Sequence, residues 1–382
     1  MTFPFGSPLY VMAKPASAAC NLACRYCYYL DKKHLYDGPE ERVMTEQLLE
    51  LFTRQYLEAQ TQPEVLFTWH GGEPLLRPMS FYQKALQLQR QYGRGRTIDN
   101  CLQTNGTLLN AEWCRFFKDN GFLIGISIDG PETLHDVYRQ RRGGGATWRS
   151  VMRGIELLQH YEVEWNAMAT VNHINADQPT AFYQFFRDIG CQYLQFTPVV
   201  EREGSRMADY SVTPQQWGRF TCSVYDEWVQ SDVGSIFVQL FDTTLANWMA
   251  VAPGLCSLSA MCGHSLAMEY NGDVFSCDHY VFPEYHLGNI RRQSLTEMAY
   301  GPKQQQFRRL KTALLPRQCR QCRWLFACHG ECPKNRLNDG VNYLCEGYRQ
   351  FFAHVADDME LMCGELKANR APANIMNQKK TR

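Results

Sequence analysis

The sequence predicts an α/β protein built from parallel strands, because short apolar segments alternate regularly with helical segments. Six strand candidates are rich in residues that favour strands, and several of them are bounded by Gly, Pro or Asn. They are Leu9–Ala13, Val65–Trp69, Thr97–Leu102, Leu123–Ile128, Val163–Val171 and Tyr193–Val199. Such alternation is typical of parallel βα units. Six units are too few for a closed eightfold barrel, and the pattern alone also allows a doubly wound sheet.

Helix signals lie between these strand candidates. Thr45 is a suitable N-cap for a helix that runs to about Gln60. Asn110 can cap the next helix, and Gly121 stands where a glycine often follows the last helical turn. A further helical segment covers Thr180–Ile189. The strands and helices therefore alternate through the first part of the chain.

Length and composition predict two domains and exclude several classes of partner. The chain has 382 residues, of which 45% are apolar, enough for a large domain at residues 1–250 and a smaller one at residues 251–382. The formal net charge of zero argues against a nucleic acid or an acidic membrane as partner. Neither a membrane-spanning segment nor a secretion signal is recognised, so we expect no membrane association and a cytoplasmic location. The 16 cysteines then indicate metal ligands rather than disulfides.

The most informative motif is Cys20-Asn-Leu-Ala-Cys24-Arg-Tyr-Cys27, which follows the first predicted strand. Three closely spaced thiolates can hold three irons of a [4Fe–4S] cluster, and with no fourth protein ligand nearby one iron stays open. A zinc knuckle with its fourth ligand elsewhere in the chain is the alternative. The motif therefore predicts a reactive iron–sulfur cluster.

This motif, with Lys14-Pro15-Ala16 before it and Tyr28-Tyr29 after it, resembles the anaerobic sulfatase-maturating enzymes of the radical S-adenosylmethionine (SAM) superfamily. The resemblance implies that the α/β domain is an open, partial (β/α)6 barrel. It also implies that the open iron binds the amino and carboxyl groups of SAM. In the family, the cluster cleaves SAM to methionine and a 5′-deoxyadenosyl radical.

Several predicted loops follow directly after strands, where parallel sheets place their chemistry. They include Gly71-Gly72-Glu73-Pro74 and Gln103-Thr-Asn-Gly106. The resemblance implies that the SAM-binding residues are Tyr26, Gly72, Ser127, Arg139 and Leu194. A guanidinium such as that of Arg139 suits a carboxylate, although a surface arginine is the plain alternative. For Leu194 the alternative is an ordinary core residue of a strand.

A second group of cysteines begins after about Leu255. It consists of Cys256, Cys262, Cys277, Cys319, Cys322, Cys328, Cys332 and Cys345, enough for two sites of four ligands. Spacing alone groups Cys319 to Cys332 as one zinc ribbon. The group resembles the SPASM extension, a smaller cysteine-rich domain with a β-hairpin and helices that carries two auxiliary [4Fe–4S] clusters. The resemblance implies that Cys256, Cys262, Cys277 and Cys332 bind one cluster and the other four cysteines bind the second, which makes three clusters in the chain.

A hairpin is predicted around Asn271-Gly272, because Asn-Gly between apolar runs is a strong turn signal. Asp278 would follow Cys277 on the outgoing strand and face away from the cluster, since strand side chains alternate. The resemblance implies that Asp278 is the general base of the reaction, a role that a nearby carboxylate can fill. A solvated acid beside a ligand is the alternative, and His279 is a weaker candidate for the same role.

The resemblance extends over nearly the whole chain and implies a function. The family oxidises a Cys or Ser within a Cys/Ser-x-Pro-x-Arg sequence of a sulfatase to Cα-formylglycine. The expected partners are an unfolded or nascent sulfatase polypeptide and a low-potential electron donor such as ferredoxin or flavodoxin, and we expect a monomer. Two alternatives stay open: another SPASM enzyme that modifies a peptide, for example by thioether formation, and a metal-binding scaffold without catalysis.

Overall fold

The computed structural model describes residues 9–29, 32, 34–36, 42–263 and 265–379. The chain divides into two compact units. The first unit comprises the chain up to Ser127, together with Tyr138–Trp165 and Gly263–Arg308. The second unit comprises Ile128–Val137, Asn166–Cys262 and the chain from Arg309 onwards. Each unit is discontinuous in sequence.

The strands and helices are as follows. The strands are β1 (Tyr10–Ala13), β2 (Glu64–Trp69), β3 (Thr97–Thr104), β4 (Phe122–Ser127), β5 (Trp165–Val171), β6 (Tyr193–Pro198), β7 (Arg202–Glu203), β8 (Arg206–Met207), β9 (Phe237–Val238), β10 (Ser265–Met268), β11 (Asp273–Phe275) and β12 (His286–Asn289). The helices are α1 (Glu46–Ala59), α2 (Met79–Tyr92), α3 (Ala111–Asp119), α4 (Glu132–His135), α5 (Trp148–His160), α6 (Pro179–Asp188), α7 (Pro214–Ser231), α8 (Gln239–Trp248), α9 (Leu295–Tyr300), α10 (Pro302–Ala313), α11 (Arg317–Arg320), α12 (Leu325–Cys328), α13 (Cys345–Lys367) and α14 (Ile375–Lys379).

All six predicted strands are present as β1 to β6, with ends that differ by at most two residues. The predicted helix starts are also correct. The Thr45 hydroxyl accepts a hydrogen bond from the Leu48 amide at 3.3 Å, and the Asn110 side chain accepts one from the Trp113 amide at 2.9 Å. Gly121 follows α3 with a φ of 63°, the left-handed conformation expected of a glycine there.

In the first unit, β1 to β4 are parallel neighbours, which confirms the predicted βα pattern. Their apolar side chains form a buried aromatic core with α1, in which Phe52, Tyr56 and Phe67 pack within 6 Å of one another between ring centroids. The Tyr56 hydroxyl lies 3.0 Å from the carbonyl oxygen of Leu9 and 2.8 Å from that of Leu66. The core therefore holds the strands so that their carboxyl ends, and the loops that follow them, meet at one edge.

The hairpin predicted around Asn271-Gly272 is present as β10 and β11, which pair antiparallel. Strand β10 also pairs parallel with β1, from Tyr10 opposite Ser265 to Ala13 opposite Met268. The hairpin thus extends the sheet of the first unit. One prediction here is wrong: Asp278 does not lie on the outgoing strand, because β11 ends at Phe275 and Asp278 begins a 3-10 turn.

In the second unit, β5, β6 and β9 are parallel neighbours. Helices α7 and α13 pack together where Gly218 and Gly347 bring their backbones close. A Cβ atom on Gly347 would lie 2.3 Å from the carbonyl oxygen of Pro214, so only glycine allows this approach. The division predicted at residue 250 rests on a change in cysteine content. The two compact units are discontinuous in sequence and have other bounds, so the predicted division stays a prediction.

Within the described ranges, no helix is long and apolar enough to span a membrane.

Candidate active site

The three cysteines of the motif lie in the irregular segment between β1 and α1. The Cys20 sulfur accepts hydrogen bonds from the Leu22 amide at 3.4 Å and from the Asn105 side-chain amide at 3.7 Å. Burial raises the pKa of the Cys20 thiol to about 12, and the nearby Cys24 and Cys27 add to this increase. The three thiols therefore lie close together, and the Cys20 sulfur has two N–H donors beside it.

The loop Gly71-Gly72 packs against the backbone that leads into the motif. The Gly72 amide donates to the carbonyl oxygen of Ser17 at 2.7 Å, and the next amide donates to that of Ala19 at 2.8 Å. A Cβ atom on Gly72 would lie 2.1 Å from the Ala19 oxygen. The glycine is therefore required for contact with the cysteine loop, in addition to the predicted approach to a ligand.

Glu73 joins three loops of the site. Its buried carboxylate accepts hydrogen bonds from the Thr104 hydroxyl and the Asn105 amide, both at 2.8 Å, and from the Leu75 amide at 2.9 Å. Burial raises the pKa of Glu73 to about 7, although these hydrogen bonds oppose the increase. Because Asn105 also contacts Cys20, the loops after β2 and β3 hold the cysteine loop in place.

Two of the predicted SAM-binding residues are neighbours. The guanidinium carbon of Arg139 lies 5.6 Å from the ring centroid of Tyr26. The Tyr26 and Tyr138 rings pack edge to face, with their centroids 6.0 Å apart. Arg139 is 8% exposed, which excludes the surface alternative. The Ser127 hydroxyl accepts a hydrogen bond from Gln103 at 3.0 Å. Leu194 lies buried in β6 of the second unit, as a strand core residue would, and its role toward SAM stays a prediction.

Asp278 is buried and has two partners in the first unit. The Lys14 ammonium forms an ion pair with Oδ1, and the Tyr28 hydroxyl donates a hydrogen bond to Oδ2. Burial alone would raise the pKa of Asp278, but the Lys14 charge outweighs it and holds the pKa well below its usual range. Asp278 is therefore a buried carboxylate at neutral pH, which excludes the alternative of a solvated acid.

The surroundings of this ion pair are also polar. The Lys14 ammonium lies 3.6 Å from the centroid of the Tyr29 ring. Glu269 accepts hydrogen bonds from the hydroxyls of Ser17, at 2.7 Å, and of Tyr29. Burial raises the pKa of Glu269. The Lys14 ammonium thus forms its ion pair with Asp278, while Glu269 accepts hydrogen bonds from hydroxyl groups and is also stabilised by the Lys14 charge.

His70 and His279 complete the group. The Gly71 amide donates to Nδ1 of His70 at 2.7 Å, so Nε2 carries the proton. Burial, followed by the Lys14 charge, lowers the pKa of His70 to about 4. The ring of His279 lies 5.4 Å from that of Tyr28. His70 is therefore a neutral imidazole at pH 7.

Sequence reasoning missed the roles of Lys14, His70 and Glu269 in this arrangement. A usable signal was present, because Lys14 directly follows the last residue of β1 and His70 directly follows that of β2. The first residue after a parallel strand commonly faces the functional edge of a sheet. Glu269 follows β10 in the same way, but its parallel pairing with β1 is a long-range contact that the local sequence does not indicate.

In the second unit, a buried lysine lies among three of the predicted cluster ligands. The Lys311 ammonium donates to the carbonyl oxygens of Cys256, at 2.8 Å, and Ser257, at 2.7 Å. Burial lowers the pKa of Lys311, against the opposing effect of Cys262, Glu331, Cys256 and Cys332. Cys277, the fourth predicted ligand, belongs to the first unit.

The ligands predicted for the second auxiliary cluster also lie together. The thiol of Cys345, at the start of α13, interacts electrostatically with Cys319 and Cys322, and that of Cys328 with Cys345 and Cys319. Cys332 instead interacts with Cys256 and Cys262. Cys332 thus has its thiol neighbours in the other predicted set, and the interleaved ligand assignment stays a prediction.

The grouped thiols are suitable ligands for iron–sulfur clusters. Among the residues that the structure describes, no three Cys, His, Asp or Glu side chains are arranged to hold a single metal ion. A [4Fe–4S] cube distributes its thiolate ligands over several irons, one ligand to each iron. Near the first cysteine group, the Glu73 carboxylate already accepts hydrogen bonds from the Thr104 hydroxyl and the Asn105 amide.

Family models match both parts of the chain. Residues 15–186 match the radical SAM superfamily, and residues 260–323 match SPASM, an iron–sulfur cluster-binding domain. A serine-type anaerobic sulfatase-maturating enzyme of Bacteroides thetaiotaomicron is 55% identical, over 98% of this chain and 95% of its own length. The chain belongs to the anaerobic sulfatase-maturating enzymes.

More distant relatives are also anaerobic sulfatase-maturating enzymes. A serine-type enzyme of Klebsiella aerogenes is 37% identical over 95% of this chain and 89% of its own length, and a cysteine-type enzyme of Clostridium perfringens is 30% identical over 91% and 96%. The solved structure of anSMEcpe with bound AdoMet has a TM-score of 0.85 and 29% identity, and covers 94% of this chain and 100% of that one. The predicted fold class, a radical SAM α/β domain with a SPASM domain, is therefore confirmed for this family member.

Proposed function

We propose that this protein oxidises one Ser or Cys residue of a sulfatase polypeptide, within a Cys/Ser-x-Pro-x-Arg sequence, to Cα-formylglycine. The carrying observation is the buried Asp278 carboxylate. It is held by Lys14 and by Tyr28, the residue that follows Cys27 of the motif. A carboxylate that neighbours the cysteine loop is the base that such an oxidation needs.

Each part of the site has a role in this proposal. Cys20, Cys24 and Cys27 hold the reactive cluster, and Tyr26, Gly72, Ser127, Arg139 and Leu194 contact SAM. When bound, the clusters and SAM would supply the radical chemistry at the substrate β-carbon and an acceptor for the remaining electron. Asp278 accepts the proton of the substrate hydroxyl or thiol. Serine thus loses a hydrogen atom, a proton and an electron, and its side chain becomes an aldehyde. Cysteine loses the same and becomes a thioaldehyde, which water hydrolyses to the aldehyde with release of hydrogen sulfide.

We further propose that serine is an accepted substrate. Two of the relatives described above are serine-type enzymes, at 55% and 37% identity, whereas the cysteine-type relative is 30% identical. Among solved structures, anSMEcpe has been captured with AdoMet and a Cp18Cys peptide, which supports a peptide as the kind of substrate.

The deciding experiment incubates the anaerobically reconstituted protein with SAM, reductant and peptides containing Ser-x-Pro-x-Arg or Cys-x-Pro-x-Arg. We expect an aldehyde that reacts with a hydrazine probe, together with deoxyadenosine. A peptide that loses two hydrogens without gaining an aldehyde would indicate thioether formation instead. A protein that forms no deoxyadenosine would be a scaffold rather than an enzyme.

The remaining proposals concern cofactor number and partners. We propose three [4Fe–4S] clusters, an unfolded or nascent sulfatase as partner, and ferredoxin or flavodoxin as electron donor. We also propose a cytoplasmic monomer without nucleic-acid or membrane partners, since reduced thiols persist in that compartment. Iron analysis, size-exclusion chromatography and reduction by each donor protein test these points separately.

A further inference from the structure

We propose that Lys14 is the positioning residue for Asp278: its ammonium fixes the carboxylate in the place from which it accepts the substrate proton. This inference rests on the proposed function, in which Asp278 is the base. Lys14 has no assigned role in that function.

The burial of Lys14 is the first observation. Its side chain is 0% exposed, and removing an ammonium from water is costly unless an opposite charge compensates for it. Asp278 supplies that charge, and its own side chain is 9% exposed. Each charge therefore depends on the other for its place inside the protein.

The two backbones differ in how firmly they are held. Lys14 continues the pairing of β1 with β10, because its amide donates to the Met268 carbonyl oxygen at 2.9 Å. Its carbonyl oxygen accepts from the Ser17 amide at 3.1 Å. Asp278 begins a three-residue 3-10 turn beyond a three-residue strand. The lysine is thus the fixed member of the pair and the aspartate is the member that needs support.

The carboxylate is held at both oxygens. Lys14 forms an ion pair with Oδ1 and Tyr28 donates a hydrogen bond to Oδ2, so each oxygen has a partner and the two partners lie on different segments. The ring of Tyr29 lies beside the ammonium and restricts its movement. Loss of Lys14 would leave one neutral donor, and a buried carboxylate with one donor no longer keeps a defined orientation.

Burial raises the pKa of Glu269 and the Lys14 charge opposes that increase, but the direct ion pair of Lys14 is with Asp278. The Glu269 carboxylate accepts from the hydroxyls of Ser17 and Tyr29, and no ion pair joins it to Lys14 in the described part of the chain. Ser17→Ala therefore provides a matched control. It removes a hydrogen bond from the same polar group without touching Asp278.

The test compares wild type, Lys14→Met, Lys14→Arg and Ser17→Ala as reconstituted holoenzymes with a Ser-x-Pro-x-Arg peptide. Methionine keeps the length of the side chain and removes its charge, whereas arginine keeps the charge. We expect formylglycine per deoxyadenosine to fall about tenfold in Lys14→Met, with kcat reduced and the peptide KM within about twofold. Lys14→Arg should recover part of the ratio, and Ser17→Ala should keep it.

A double variant separates positioning from general damage. With Asp278→Asn already present, there is no carboxylate to position, so adding Lys14→Met should lower formylglycine no further. A further tenfold loss of formylglycine in the double variant would overturn the proposal. An unchanged ratio of formylglycine to deoxyadenosine in the single variant Lys14→Met would also overturn it. If Lys14→Met fails to bind iron, Lys14→Gln replaces it, and an unchanged ratio there has the same meaning.

The proposed function is tested by the wild type alone. If wild-type protein makes no aldehyde, the proposed function fails whatever Lys14 does. If wild type makes aldehyde, Asp278→Asn does not and Lys14→Met makes as much as wild type, only the inference about Lys14 fails.

Discussion

At the scale of single residues, the site depends on buried charges whose partners are all protein groups. Asp278 is charged because Lys14 accompanies it, and His70 is neutral because burial and the same lysine disfavour its charged form. Glu73 is buried among three donors and is tied to the cysteine loop through Asn105. Asp278 is therefore the residue whose replacement should separate radical formation from product formation.

Replacement of Asp278 by Asn should uncouple radical formation from product. The amide keeps the size of the side chain and cannot accept the proton, so formylglycine should fall roughly 10²-fold or more, the usual scale for loss of a general base. Deoxyadenosine should persist, because the cysteine motif and the residues around Tyr26 are unchanged. Both products are measured in the same reaction. A parallel loss of both would show that Asp278 serves the fold, and no loss would make His279 the next candidate.

Acid sensitivity should change when His70 is replaced by Gln. The ordinary pKa of histidine is 6.5, whereas that of His70 is about 4. The unfolded chain therefore binds a proton as the pH falls through 6.5, and the folded protein does so only near pH 4. The stability that neutral His70 contributes is complete above pH 6.5 and is lost progressively toward pH 4, on the order of 3 kcal/mol.

The measurement is the thermal midpoint of the holoenzyme at pH 7 and at pH 5. Glutamine keeps an acceptor for the Gly71 amide and does not titrate, so His70→Gln should lose less stability than wild type over this interval. Equal losses in both proteins would contradict the assignment of a neutral, buried His70.

At the scale of elements, the cysteine loops are held by backbone contacts rather than by regular structure. Gly72 places the loop after β2 against Ser17 and Ala19, and Lys311 on α10 holds the backbone of Cys256 and Ser257. Both features shape a ligand-bearing loop without supplying a ligand. Changes at these positions should therefore act on cluster content.

Gly72→Ala should damage the first cysteine loop. A Cβ at this position would lie 2.1 Å from the Ala19 oxygen, so either loop must move, at a cost of about 1–3 kcal/mol. We expect less iron in the first cluster and slower deoxyadenosine formation. Gly364→Ala is the matched control, because a Cβ there meets no atom within 4 Å. Normal iron and deoxyadenosine in Gly72→Ala would show that the loops tolerate the shift.

Lys311→Met should lower the amount of iron bound at the predicted cluster ligands beside Lys311. The change removes two hydrogen bonds to backbone oxygens and the buried positive charge beside Cys256, Cys262 and Cys332. We expect about four fewer irons per chain and little change in deoxyadenosine. The control is Lys367→Met, at an exposed lysine of α13. Full iron content in Lys311→Met would show that the thiols bind without its help.

At the scale of the whole molecule, three separate thiol groups predict three clusters. Reconstituted wild type should contain about twelve irons per chain, and the triple variant Cys20→Ala, Cys24→Ala, Cys27→Ala should contain about eight and cleave no SAM. Iron analysis and deoxyadenosine formation test both statements. Iron-free protein that carries zinc after anaerobic purification would contradict them.

The amino-acid sequence determined the features that depend on local spacing and on short-range physics. These are the six parallel strands, the helix caps at Thr45 and Asn110, the Asn271-Gly272 hairpin and the cysteine motif. The family also followed from the sequence, since the motifs that carry the resemblance are continuous. A strand period, a cap or a Cys-x3-Cys-x2-Cys spacing is written in neighbouring residues and needs no knowledge of distant contacts.

Tertiary structure alone decided the contacts that join distant parts of the chain. The pairing of β10 with β1 brings the segment of Lys14 next to that of Asp278, more than 250 residues later. Local alternation wrongly placed Asp278 on a strand, because β11 ends at Phe275 and Asp278 begins a 3-10 turn. Burial by both segments then fixes the charge of Asp278, since removal from water makes each ionised group depend on its partner.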